Sequence, residues 1–339
     1  MWSPDASGCE FTVPEYVQRF AFYVLPAAPC RSVGGTGVIP LGTRLGPIWL
    51  SSPLIAASGT VGSVVEFEDV TDWSVYGAAV AKSVSGDPWE GRAAPRLAPA
   101  GVGMLNGVGI QNPGIDRWVA EYAPRLSSAG TQVWGSAVGH TVDEFVRVAT
   151  GMAGAGVPVI EINLSCPNLD GHLFALDPAR SAEVVRAVRE AVDTPIGAKL
   201  SPNSEDIAHV AESCAAAGAD WLVLTNTVWG ARIDLRTRRP VLTGTIGGYS
   251  GQPLKPIAMR CVIEVHRALP SIPIIGCGGV SSAEDVVEYL LAGASAVAIG
   301  TAHFADPKVA SRISKRLPKL VERTGASSVV ELIGGMQPW

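Results

Sequence analysis

From about residue 75 onward the chain alternates between short apolar runs and longer stretches whose apolar residues recur at helical spacing. Val157–Cys166 (VPVIEINLSC) reads as a buried strand, and Asp177-Pro178 supplies an N-cap and first-turn proline for a helix through 182–192. Pro195–Leu200 predicts the next strand, followed by a helix over Asp206–Ala217 with Asn203 as its cap and Gly218 as its stop. Trp221–Asn226 reads as a strand and Ile257–Leu269 as a helix. Ile272–Gly276 runs into Cys277-Gly278-Gly279, and Ser281 with Glu284 predicts a capping box for a helix ending at Leu291. Ala294–Gly300 is the last expected strand, and Asp306-Pro307 opens the last helix.

Strands alternating with helices imply βαβ units and a parallel sheet. The strands are nearly all apolar, as expected when helices cover both faces. A doubly wound sheet and a closed (β/α)8 TIM barrel both satisfy this pattern. Chain length favours the barrel, as does the clustering of unusual residues at strand C-terminal ends, where barrel enzymes build their sites. Residues 39–339 are therefore expected to form the barrel, and residues 1–38 an N-terminal extension. A helix over Thr12–Leu25, opened by a Thr12/Glu15 capping box, and the connector Val33-Gly34-Gly35-Thr36-Gly37 mark that extension. A surface arm, a dimer element and a partner-docking segment are all open readings of it.

Composition narrows the class. With 339 residues, 47% hydrophobic and 17% charged, the chain has enough apolar material for a large core and is not of disordered type. A net charge of −5 argues against nucleic acid as the main partner. Six cysteines without any C-x-x-C pair exclude a disulfide scaffold or zinc module and suit a reducing cytoplasm. The five histidines show no metal-ligand spacing, so no metal is expected; His209 and His266 are expected on helix surfaces. The first basic residue is Arg19, which leaves no charged signal-peptide start. The apolar stretches 20–29 and 45–65 are interrupted by prolines, so no membrane span and a cytoplasmic location are expected.

Several constellations carry candidate chemistry. Gly278-Gly279 and Gly300-Thr301 close the last two strands, the usual phosphate-binding place of a barrel, although tight turns alone would use the same residues. Asn163-Leu164-Ser165-Cys166-Pro167-Asn168 crowds amides, a hydroxyl and a thiol at one strand end. Cys166 is a candidate base or nucleophile as well as a candidate buried filler, whereas Cys214, Cys261 and Cys277 read as fillers. His172 lies close enough in sequence to contact the same ligand. Lys82 and Lys199 end apolar strands, so each needs an anion, supplied either by a ligand or by a structural salt bridge. The uncharged loop Met104 to Gly114 suits a ligand contact.

Taken in order, these motifs resemble the dihydroorotate dehydrogenase family over roughly Gly42 to Thr324. The resemblance is carried by Ala57-Ser58-Gly59-Thr60, Ala81-Lys82-Ser83, Gly103 to Asn106, Gln111 to Gly114, Asn163 to Asn168, Lys199 to Asn203, Thr225-Asn226-Thr227 and the two glycine pairs. The stretches Ile233 to Leu235, Arg239 to Leu242 and Gly247 to Gly251 look like class 1B, whose catalytic subunit pairs with an electron-transfer subunit carrying FAD and an iron–sulfur centre. The resemblance implies FMN, with Gly278, Gly279, Gly300 and Thr301 at its phosphate and Ala57, Ser58, Lys82, Ser83, Ser136, Asn163, Lys199, Thr225 and Gly251 at further cofactor positions. It implies a small-molecule substrate held by Lys82, Asn106, Gly107, Val108, Gly109, Ile110, Asn163, Asn168, Asn226 and Thr227. Its catalytic residues are Cys166, Lys82 and Lys199, with Cys166 removing the C5 proton of dihydroorotate while C6 gives hydride to the flavin N5. A homodimer is also implied.

The chain departs from the family pattern most at three positions, with small changes at Gly107 and Ile110 of the substrate loop. Ser136 stands where the family has Asn, Trp229 where the branch has a basic residue, and Tyr249 where a smaller aliphatic is usual. These departures motivate a second reading, an FMN-dependent paralogue acting on another small cyclic amide or unsaturated compound. A flavin-binding scaffold without catalysis is a third.

Overall fold

The computed structural model describes residues 39–67, 69–165 and 174–339. The expectations for the extension (1–38) and for Cys166, Asn168 and His172 lie outside these residues. A two-stranded hairpin, β1 (Thr43–Leu45) and β2 (Ile48–Leu50), comes first. Eight parallel strands follow: β3 (Leu54–Ala56), β4 (Ala78–Val80), β7 (Gln132–Ala137), β8 (Ile160–Asn163), β9 (Ile196–Lys199), β10 (Trp221–Leu224), β15 (Ile274–Cys277) and β16 (Ala296–Ile299). Each pairs with the next in chain order and β16 pairs with β3, which closes a (β/α)8 barrel. The expected fold class is what the chain forms.

Strand parity sorts the side chains into two layers. Outward residues such as Ile160, Ile162, Leu222 and Leu224 join the large core between sheet and helices. Inward residues form a second cluster of Ile55, Ala78, Val80, Trp134, Val159, Trp221, Val223, Ile275 and Ala296, into which Leu45 and Leu50 of the hairpin pack. Trp134 and Trp221 lie with ring centroids 5.6 Å apart. Gly197 on β9 makes room for them, since a Cβ there would fall 2.2 Å from Trp221 Nε1. The lower barrel is thus filled by side chains, as barrels of this size are.

Several element ends move relative to the sequence reading. The helix Pro178–Ala191 starts at the expected Asp177 cap, which accepts from Ala179 N and Arg180 N. The helix Ile207–Ala216 is capped by Asp206, not Asn203, because the Asp206 carboxylate reaches His209 N. Asn203 instead bonds Ser201 and the Thr227 carbonyl. The helix Ala283–Leu291 has its capping box one residue later than expected: Ser282 and Asp285 form it, whereas Ser281 precedes the cap. His266 is half-buried on the helix Lys255–Ala268, its ring packed against Gly293, and is not a surface residue. Its Nδ1 has no hydrogen-bond partner.

A second sheet was not expected. β5 (Leu97–Ala100), β6 (Gly103–Asn106), β14 (Gly247–Gly251) and β11 (Val228–Gly230) form an antiparallel sheet from the segments between β4 and β7 and between β10 and β15, the latter also holding the short hairpin of β12 (Ile233–Asp234) and β13 (Arg239–Pro240). Leu97, Met104 and Asn106 of its strands, with Val102 of the turn between β5 and β6, line the same cavity as the barrel's strand ends.

Candidate functional site

A cavity of about 590 Å³ opens at the strand C-terminal ends. It is far larger than a void between packed side chains and falls within the usual range of small-molecule sites. One side is built by glycines. Gly279 has φ +70°, and a Cβ on it would lie 2.9 Å from the Lys255 backbone nitrogen and 3.0 Å from the Gln252 carbonyl oxygen. Gly278 would collide with Ala258 at 2.6 Å. Only glycine lets the backbone run this close and leave its polar edge to a ligand. Gly300 differs: a Cβ there would make only ordinary contacts, the nearest with the Ala57 Cβ at 3.7 Å, and Gly300 borders the cavity. The Gly279 loop is fixed from behind, where Asp285 accepts from Ser281 N and Ser282 N at 2.9 Å each and pairs with Lys255 at 2.6 Å. These bonds, together with Lys255, hold the Asp285 carboxyl below its ordinary range against the opposing effect of burial. Thr301 donates to Ser250 at 2.8 Å, tying this side to β14.

The other side is a row of hydroxyls and amides that bond one another. Asn163 donates from Nδ2 to Ser83 Oγ at 3.0 Å, and its Oδ1 accepts from Ser165 Oγ at 3.2 Å. Asn226 donates to Ser165 Oγ at 2.8 Å and accepts from Thr227 N at 2.8 Å. Ser58 donates to the Ala81 carbonyl at 2.7 Å, and Asn106 donates to the Gly248 carbonyl at 3.1 Å. Such mutual bonding fixes each rotamer before a ligand arrives, the preorganisation that binding and catalysis both exploit. Lys82 and Lys199 add positive charge among these neutral groups. Lys199 is almost wholly buried and has an ion-pair partner in Glu161, at 3.6 Å. The structural salt bridge is therefore present for Lys199, and Lys199 also borders the cavity.

A further link supports the wall from behind. Thr60 donates to the Ala57 carbonyl at 2.9 Å, so its oxygen accepts from His303 Nδ1 at 3.1 Å. Tyr76 then donates to His303 Nε2 at 2.7 Å. Burial lowers the His303 pKa to about 4 and raises that of Tyr76, so both are uncharged at neutral pH.

Of the residues singled out from sequence, Ala57, Ser58, Lys82, Ser83, Asn106, Val108, Ile110, Asn163, Lys199, Thr225, Asn226, Thr227, Gly251, Gly278, Gly279, Gly300 and Thr301 all border this cavity. Three do not. Ser136 is wholly buried and meets the site only through Ser83, at 2.9 Å. Gly107 and Gly109 lie on the far side of their loop near Arg92, because cavity-facing residues alternate as Asn106, Val108 and Ile110. Cys214 and Cys261 are buried fillers, their thiols pushed up to about 12 and about 11 by burial. Cys277 is buried too, yet it borders the cavity, which strand parity with Ile275 foretells. Glu161, Thr60 and His303 were missed. A charge inside the apolar run VPVIEINL was the available signal for Glu161.

None of the three main departures borders the cavity, and only Ser136 bonds a residue that does. Tyr249 packs against the cluster of Ala98, Leu105 and Leu242 and donates to the Ala100 carbonyl at 3.2 Å. Trp229 is 47% exposed on β11. Among the described residues no helix is long and apolar enough to cross a membrane, and no His/Cys/Asp/Glu group is placed to hold a metal ion.

A closed parallel barrel with a glycine-built cradle facing lysines and cross-bonded amides has the layout of a barrel enzyme. Residues 41–321 match the family described as dihydroorotate dehydrogenase. The chain is 43% identical over 297 residues to the catalytic subunit of dihydroorotate dehydrogenase B (NAD(+)) of Bacillus pumilus, covering 87% of this chain and 96% of that one. It is 42% identical over 293 residues to the protein of the same name in a Geobacter species (86% and 96% covered). The corresponding protein of Alkaliphilus metalliredigens is 38% identical over 289 residues (85% and 95%). The chain belongs to the dihydroorotate dehydrogenase family, flavin-dependent oxidoreductases that act on a CH–CH bond.

Proposed function

We propose that this protein oxidises dihydroorotate to orotate in pyrimidine biosynthesis, with FMN bound across the barrel mouth. The single observation that carries the reading is the adjacency, in one cavity, of the glycine cradle and the lysine–amide wall. The residues fit such a cofactor. Gly278, Gly279, Gly300 and Thr301 would hold its phosphate, where a side chain at Gly300 would occupy ligand space. Ala57, Ser58, Ser83, Asn163, Thr225 and Gly251 would border its ring system, with Ser136 acting through Ser83. When bound, the flavin supplies the hydride acceptor. Lys199 would stabilise negative charge gathering on the ring system.

Lys82 would pair with the substrate carboxylate, and Asn106, Asn163, Asn168, Asn226 and Thr227 would match the donors and acceptors of a cyclic imide. Val108 and Ile110 would close the apolar side of that pocket, with Gly107 and Gly109 shaping the loop. Cys166, as thiolate, would take the C5 proton, so the pair of electrons at C5–H forms the new double bond as C6 loses hydride. The relatives are named as catalytic subunits of an NAD(+)-linked enzyme. A separate electron-transfer subunit carrying FAD and an iron–sulfur centre, a homodimeric catalytic core and a cytoplasmic location belong to this reading.

Anaerobic mixing of the FMN-loaded protein with dihydroorotate tests it. Loss of the oxidised flavin absorbance is the expected result. Flavin that stays oxidised with dihydroorotate, but is reduced by another cyclic amide, selects the paralogue. The position of Tyr249 and Trp229 away from the cavity favours dihydroorotate over that alternative.

A further inference from the structure

Glu161 is the least expected side chain inside the barrel. β8 turns Ile160 and Ile162 outward into the helix layer, which leaves Glu161 and Asn163 facing in. The carboxylate is 3% exposed and Lys199 5% exposed. Their ion pair measures 3.6 Å, and Glu161 Oε1 has no hydrogen-bond partner. The nearby Cys277 thiol feels both charges but is held neutral by burial. Inward neighbours elsewhere in the barrel, such as Val80, Val223 and Ile275, are apolar, so the barrel interior does not itself require a charge. A buried ion pair stabilises no more than well-packed apolar residues do, and often less. Its presence directly beneath the cavity wall therefore calls for a role in the chemistry.

Register defines that role. Asn163 and Lys199 are direct partners across β8 and β9, while Glu161 pairs with Gly197 one inward level below. Lys199 thus meets the cavity on one side and a carboxylate on the other. An ammonium backed by a carboxylate keeps its proton despite burial, and its field on a ligand is partly cancelled.

We propose that Glu161 is a positioning residue that fixes the charge and reach of Lys199, and so sets how readily the bound flavin accepts electrons. The inference rests on the function proposed above, because Lys199 must adjoin a flavin for it to matter. Removing the carboxylate takes one negative charge from behind Lys199 and so favours the reduced, more negative flavin. The wild type and the variants Glu161→Gln and Glu161→Asp are loaded with FMN and titrated anaerobically against reference dyes at one fixed pH. For Glu161→Gln the balance of reduced over oxidised flavin rises at least about tenfold, or about 30 mV for a two-electron couple. Glu161→Asp, which keeps a carboxylate but draws it back by a methylene, shifts the same way by a smaller step; it carries the test if Glu161→Gln does not fold. Shifts under twofold in variants that hold one FMN per chain overturn the inference and leave the proposed function standing. A wild-type protein that binds no FMN overturns the proposed function instead, and this inference with it.

Discussion

The two ends of this barrel use the same strands for opposite ends of the chemical range. At the N-terminal end, inward positions carry Trp134, Val159 and Trp221, and the hairpin residues Leu45 and Leu50 pack into the same cluster. Two or four residues further along these strands, and on the neighbouring β9, inward positions become Ser136, Glu161, Asn163, Thr225 and Lys199. The lower layer is dry, interlocked and indifferent to ligand. The upper layer carries charges and amides whose cost is recovered only by mutual bonding and by what binds there. Stability is concentrated below and chemistry above, so changes at the two ends should separate cleanly.

The largest effect belongs to the lower end. Trp221→Ala removes a side chain that is 1% exposed and packed at a tilt against Trp134, and should cost about 3–5 kcal/mol of unfolding free energy. Urea unfolding measures this, and the folded fraction should still reduce its flavin at the wild-type rate. A lost flavin-reduction rate in that folded fraction would break the division between the ends. Next comes Cys166→Ser, which should slow flavin reduction by dihydroorotate at least about 10²-fold in anaerobic stopped-flow, with urea stability unchanged. The wild-type rate should climb with pH as the thiolate forms.

A smaller effect tests the support behind the upper layer. His303 titrates at about 4 in the folded protein but near its ordinary value, about 6.5, once unfolded. The unfolded chain therefore binds the extra proton first, and this part of the stability is complete above the unfolded value and lost as pH falls toward 4. Between pH 7 and pH 5 it amounts to about 2 kcal/mol. His303→Gln should flatten the pH dependence by that amount in urea titrations at the two pH values.

Legibility from sequence followed the same division. Apolar runs with polar C-terminal ends announced the barrel strands, because burial on both faces leaves an unmistakable pattern. The glycine pairs and both lysines were legible because each breaks a rule of its local setting. The antiparallel sheet over the mouth was not, since its strands are 3 to 5 residues long and β14 pairs with β6 across more than a hundred residues of chain. Gly107, Gly109 and Ser136 carry the right residue types for a site, but which side of a loop or which layer they occupy depends on partners such as Arg92 and Ser83 that are distant or hidden in sequence. Glu161 carries the same signal as the lysines, a charge inside an apolar strand, but the run around it shows no sign of whether its partner is a ligand or another side chain.

The central claim is that the glycine cradle receives the phosphate of FMN. Gly300→Val tests it directly, since Gly300 borders the cavity and the first added carbon meets nothing nearer than the Ala57 Cβ at 3.7 Å. Equilibrium FMN binding to the flavin-free proteins should show one site per wild-type chain and an affinity at least about 100-fold weaker in the variant, or about 2.8 kcal/mol. Equal affinity for FMN in the two proteins would contradict the account.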